Sequence, residues 1–116
     1  MYDDLYCKVF LDTDLSYEAL FTEIINHIGG EKESFRYIVA DWCDMFVQKS
    51  KEHSMEHKRL DAVNFLYWKY YLDVEPRNVD ECHYIKHIAN LLGHLRQFCN
   101  GVIAACDFED ALSQMG

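Results

Sequence analysis

Residues 64–108, NFLYWKYYLDVEPRNVDECHYIKHIANLLGHLRQFCNGVIAACDF, decide the fold. Asn64–Glu75 is dense in aromatic and β-branched residues and is closed by Pro76, the signature of a strand. Phe65, Tyr67, Trp68, Tyr70 and Tyr71 put large rings on both faces, so this strand is expected to be central or covered on both sides. Asn78–Cys99 follows with apolar residues at helical spacing: Ile85, Ile88, Leu92, Leu95 and Cys99, widened by Leu91 and Phe98. Asn78 and Glu81 have the spacing of a capping box, and Asn100-Gly101 supplies a stop. Val102–Phe108 is apolar enough to lie inside a sheet, and Glu109–Gly116 reads as a short tail.

The N-terminal half repeats this order. From Leu5 to Leu11 the pattern alternates, with Leu5, Cys7, Val9 and Leu11 on one face and Tyr6, Lys8 and Phe10 on the other. Asp12, Thr13 and Asp14 break the strand. Ser16–Ile28 carries an apolar helical stripe of Leu20, Phe21, Ile24, Ile25 and Ile28. Asp14 or Ser16 can cap its first turn, and Gly29-Gly30 ends it. Residues 35–50 are strand-type, as one bent strand or as two strands broken near Asp41, where a β-bulge fits. Residues 48–61, QKSKEHSMEHKRLD, form a long polar excursion.

The expected architecture is therefore one α+β domain over residues 1–116. It is a ferredoxin-like split βαβ fold, an antiparallel sheet with two helices on one face and an extra or bent strand.

Composition narrows the function. Twenty acids against eleven Lys and Arg give a net charge of −9. Residues 1–44 hold most of it, with ten acids against three bases. Such a field repels nucleic acid and anionic membranes and favours a basic protein partner. No apolar run approaches the ~20 residues of a membrane span. The acidic start Met-Tyr-Asp-Asp lacks the basic, then apolar, pattern of a signal peptide, so a cytoplasmic location is expected. Five cysteines without a CxxC motif are expected to be reduced.

Catalytic motifs are missing. No GxSxG elbow, GxGxxG loop or Walker pattern occurs, and no cofactor is expected. His83 and His87 stand four residues apart on the second helix, with His94 further along, but Tyr84 follows His83 where a HExxH motif needs Glu. These rings fall off the apolar stripe and are expected to be a solvated row, with no metal.

The carboxylates are the remaining candidates. Asp41 and Asp44 flank Trp42, Asp12 and Asp14 follow the first strand, and Asp107, Glu109 and Asp110 follow the last. If the first and last strands are parallel neighbours, Asp12, Asp14, Asp107, Glu109 and Asp110 gather at one end of the sheet as a patch that steers a basic partner. Tyr2, Tyr6 and Trp42 are candidate aromatic anchors beside these acids.

MYDDLYCKVFLDTDLS at residues 1–16, the Gly29-Gly30 stop, FLYWKYYLDVEP at 65–76 and VIAACDFED at 102–110 resemble small acidic bacterial immunity proteins. These neutralise toxins in competition systems such as contact-dependent growth inhibition. The resemblance implies a non-enzymatic protein that binds a cognate toxin domain, a basic nuclease being the natural type, and it implies no catalytic residue. Two other readings use the sheet face that the helices leave open. One is a small-ligand-binding or enzymatic domain; the other is a homodimer that buries the face against its mate.

Overall fold

A computed structural model of the chain describes residues 4–50 and 68–115, with side chains through 112. Tyr2, Phe65, Tyr67, His53, His57 and the 51–61 part of the polar excursion lie outside the described residues.

The first strand, β1 (Cys7–Asp12), keeps the alternation of its sequence: Cys7, Val9 and Leu11 are fully buried. Helix α1 (Tyr17–Ile28) starts where the Ser16 hydroxyl accepts the Ala19 N–H. It ends at Gly29, whose φ of 67° is a left-handed conformation that costs glycine nothing. The buried stripe of α1 is Tyr17, Leu20, Phe21 and Ile24. Residues 31–50 form three strands: β2 (Glu31–Lys32), β3 (Tyr37–Val39) and β4 (Cys43–Lys49). The break between β3 and β4 falls at Asp41, where the Ala40 N–H bonds the Cys43 carbonyl, and the two-residue β2 is an addition to the expected pattern.

Next come β5 (Tyr70–Pro76), α2 (Glu81–Leu95), β6 (Gly101–Cys106) and a third helix, α3 (Glu109–Met115). The boundaries of α2 correct the sequence reading. Asp80 is the cap, its carboxylate accepting the His83 N–H at 3.3 Å. Asn78 stands outside the helix at φ 48°, so the Asn78/Glu81 capping box does not form. The expected tail is also corrected: Phe108 is fully buried, and it docks α3 with Ala111 and Leu112 against the core.

All six strands form one antiparallel sheet in the order β2-β3-β4-β5-β1-β6. One face carries the core. Cys7, Val9, Leu11, Met45, Val47, Leu72 and Val74 point to it and meet Leu20, Ile24, Ile88 and Leu91 from the helices and Phe108 from the turn before α3. Each fully buried aliphatic here contributes on the order of 1.5–3 kcal/mol. Polar contacts fix the layers: Tyr17 Oη donates to the Val47 carbonyl at 2.6 Å, and Tyr84 Oη to the Val74 carbonyl at 3.2 Å. The three helices thus lie on one side, and the opposite sheet face has no helix among the described residues.

Candidate protein-binding surface

Strand direction decides which acids meet. Sequence reasoning gathered Asp12 and Asp14 with Asp107, Glu109 and Asp110 on the premise that β1 and β6 are parallel. They are antiparallel: Asp12 lies opposite Gly101, and Cys7 lies opposite Cys106. Asp12 and Asp14 therefore stand at one end of the sheet and Asp107, Glu109 and Asp110 at the other, beyond opposite ends of a paired stretch roughly 17 Å long. The proposed single patch does not exist. The second group is also partly structural, since Glu109 Oε1 accepts the Cys106 N–H at 3.1 Å.

Trp42 is corrected as well. It is only 6% exposed, joins the core cluster and lies beneath the ring of His87 at a centroid distance of 4.7 Å. A side chain so covered does not serve as an interface anchor. Asp41 beside it is exposed.

Asp44 leads to a different surface. It alternates with the buried Cys43 and Met45 and so points to the helix-free face. The register places its neighbours. Tyr37 lies opposite Phe46, Phe46 opposite Asp73, Asp73 opposite Lys8, and Asp44 opposite Glu75. Tyr37 and Phe46 stack with centroids 4.7 Å apart and planes within 7°. Phe46 remains 40% exposed beside its stacked Tyr37. Tyr37 Oη donates to Asp44 Oδ1 at 2.6 Å, and Arg77 Nη1 donates to the same oxygen at 3.0 Å. Tyr6 Oη donates to Asp73. Lys8 sets its ammonium 4.3 Å from the centre of the Tyr71 ring.

The face divides in two. At the β1–β6 corner Trp68 lies across Gly101, close enough that a Cβ there would stand 2.5 Å from the indole. Phe10 on the same side is only 8% exposed. The β3–β4–β5 half stays open, with the Tyr37/Phe46 stack bordered by Asp44, Asp73 and Glu75.

The surroundings of Glu75 are acidic, while Arg77 on Asp44, Lys8 opposite Asp73 and Arg36 on Gln48 place cations on the same half. Burial pushes the Glu75 carboxyl up from the usual range, and the charges of Asp4, Asp73 and Asp44 push it the same way. The hydrogen bond to Asp44 raises the Tyr37 phenol, holding it in the donor form. Carboxylates that repel one another in the free protein are stabilised when a cationic surface covers them.

A second feature is a shallow groove of about 960 Å³ between the end of α1, the β3–β4 turn and α2, lined among others by His27, Trp42, His83, His87 and His94. The expected solvated histidine row is only partly right. His83 contacts Asp80 at the surface, but His87 covers Trp42. His94 stacks face to face on His27 at 4.2 Å, with its Nε2 lying 3.4 Å from Glu23. Among the described residues no three His, Cys, Asp or Glu side chains are placed to hold a metal ion.

The stack carries a pH signature. Burial lowers the pKa of His27 below its ordinary 6.5, and the neighbouring His94 adds to this, while a hydrogen bond to the Asn90 backbone opposes it. A histidine with a depressed folded pKa favours folding above the unfolded pKa, and that contribution fades as pH falls through it. Urea unfolding at about pH 7.5 and about pH 5.5 should therefore show stability lost on acidification, with a His27 share below about 1 kcal/mol because the ring is exposed. His27→Gln should flatten that part of the slope.

No protein-family model, no curated protein and no solved structure matches the chain. The site rests on its own geometry. Sequence reasoning missed Tyr37, Phe46, Asp73 and Glu75. The available signal was alternation: Asp44 and Phe46 interleave with Met45 and Val47, and Asp73 and Glu75 with Leu72 and Val74.

Proposed function

We propose that this chain is a non-enzymatic, immunity-type binding protein that docks a basic toxin domain on the open half of its sheet. The carrying observation is the stack of half-buried Tyr37 on exposed Phe46 inside a border of Asp44, Asp73 and Glu75. Tight interfaces combine an aromatic centre with complementary charge at the edge. A net charge of −9 adds long-range steering toward a cationic nuclease-type domain. No helix among the described residues is long and apolar enough to cross a membrane.

The frame behind this surface is read as ferredoxin-like: β1-α1-β4 and β5-α2-β6 interleave as β4-β5-β1-β6, with β2 and β3 extending the edge. That extension supplies Tyr37, so the added strands enlarge the surface offered to a partner.

The test is co-expression with the protein encoded next to this chain. A pair that stays together at high salt, with growth arrest whenever this chain is omitted, supports the reading. A harmless neighbour that does not bind counts against it.

A second expectation concerns Glu75. Glu75→Gln should raise the stability of the free protein at neutral pH by less than about 0.5 kcal/mol, since it removes a repelled, solvent-screened charge. The same change should slow association with the partner. A variant that is more stable and binds more slowly marks a residue kept for binding.

A further inference from the structure

We propose that Cys106 and Cys7 form an oxidisable dithiol: a peroxide oxidises Cys106, and Cys7 then closes a disulfide that ties β6 to β1. The register carries the inference, because the two residues are direct partners on adjacent antiparallel strands. Such partners have Cα atoms about 4.5–5.5 Å apart, inside the roughly 4.4–6.8 Å range that a disulfide spans. Equal parity puts both side chains on the helix-facing side, so the bridge needs no change of register.

The two thiols differ as an attacking and a resolving cysteine should. Cys7 is fully buried, whereas Cys106 is half-buried at the end of its strand, within reach of a small oxidant. The Cys7 thiol and the Phe108 N–H both donate to the Cys106 sulfur. These bonds favour thiolate at Cys106, lowering its pKa against the opposing effects of burial and of Glu109 and Asp107, while Cys7 is held as a thiol. The other cysteines lack such a partner: Cys43 is separated from Cys7 by the whole of β5, Cys82 is exposed on α2, and Cys99 lies beside Thr13.

The chemistry balances with hydrogen peroxide as oxidant. The Cys106 thiolate attacks one peroxide oxygen; the S–O bond forms, the O–O bond breaks, and hydroxide leaves with the electron pair. The Cys7 sulfur then attacks the sulfenic sulfur. The S–S bond forms, the S–O bond breaks, and water leaves with the Cys7 proton. Two electrons pass from the two sulfurs to the peroxide.

The experiment treats the reduced full-length protein with hydrogen peroxide and maps peptides without reductant. The expected product is a linked pair of peptides containing Cys7 and Cys106, lighter by two hydrogens, with Tm higher by about 8 °C or more because the bridge closes most of the chain into one loop. In Cys7→Ala, which also removes the hydrogen bond that favours thiolate at Cys106, the reaction should be slower and stop at a Cys106 sulfenic acid that dimedone captures. In Cys106→Ser the Cys7 thiol should survive. A bridge through Cys43, Cys82 or Cys99 in its place, or irreversible oxidation of Cys106 in the unmodified protein while Cys7 stays free, overturns the proposal. The wild-type peptide map decides this even if a variant fails to fold.

Discussion

Tyr84→Ala should cost about 3–5 kcal/mol of folding free energy, and Tyr84→Phe about 1 kcal/mol. Tyr84 is fully buried on α2 and fills the space between helix and sheet. Its ring meets Phe108 at 5.8 Å nearly edge-on and Trp42 at 5.9 Å. Its hydroxyl bonds the Val74 carbonyl on β5. Alanine removes the ring, leaves a cavity and loosens the elements that Trp42 and Phe108 anchor, the β3–β4 turn and α3. Phenylalanine keeps the packing and loses one buried hydrogen bond. A domain of this size is commonly stable by about 5–15 kcal/mol, so the alanine variant should lie close to unfolding at 37 °C. Urea denaturation of both variants checks the difference, and equal losses would mean that the hydroxyl, not the ring, carries the site.

Phe46→Ala should weaken the proposed complex about 30- to 100-fold through a faster off-rate. Phe46 is 40% exposed and stacks on Tyr37, so the same change should cost about 1–2 kcal/mol of stability, well short of unfolding the protein. Asp73→Asn should act differently. A carboxylate at the margin of an interface steers encounter, so its loss should lower the on-rate by less than about tenfold and reduce its salt dependence. Asp12→Asn and Asp110→Asn, at the two far ends of the sheet, should change neither rate appreciably. Surface-plasmon kinetics at two ionic strengths separate these cases. A change confined to Asp12 or Asp110 would place the interface elsewhere.

The pattern of what was legible follows from what each feature depends on. Alternation in β1 and the Ser16 and Gly29 caps of α1 are local, and local physics decides them. The antiparallel orientation of β6 to β1 is a matter of connectivity, and it removes the condition on which the acidic patch depends. A strand that follows another through a helical crossover runs parallel to it. Thus β6 parallels β5, and β1, lying between them, opposes both. That one relation dissolved the acidic patch of Asp12 and Asp107. The short helix after Asp107 was hidden because seven residues hold too little periodicity to declare themselves. It forms because Phe108 has a buried site to fill. The roles of Trp42 and His94 depend on His87 and His27 from other elements, and no spacing along the chain announces such contacts. The Tyr37/Phe46 stack was out of reach for the same reason: it exists only once β3 and β4 pair in their register.

Hydroxyl-radical footprinting of the purified pair locates the interface on the molecule. Modification of Phe46 and Tyr37 should fall several-fold on complex formation, while His83 and Cys82 on the exposed side of α2 react as in the free protein. Protection of α2 with Phe46 and Tyr37 unchanged would contradict docking on the open half of the sheet.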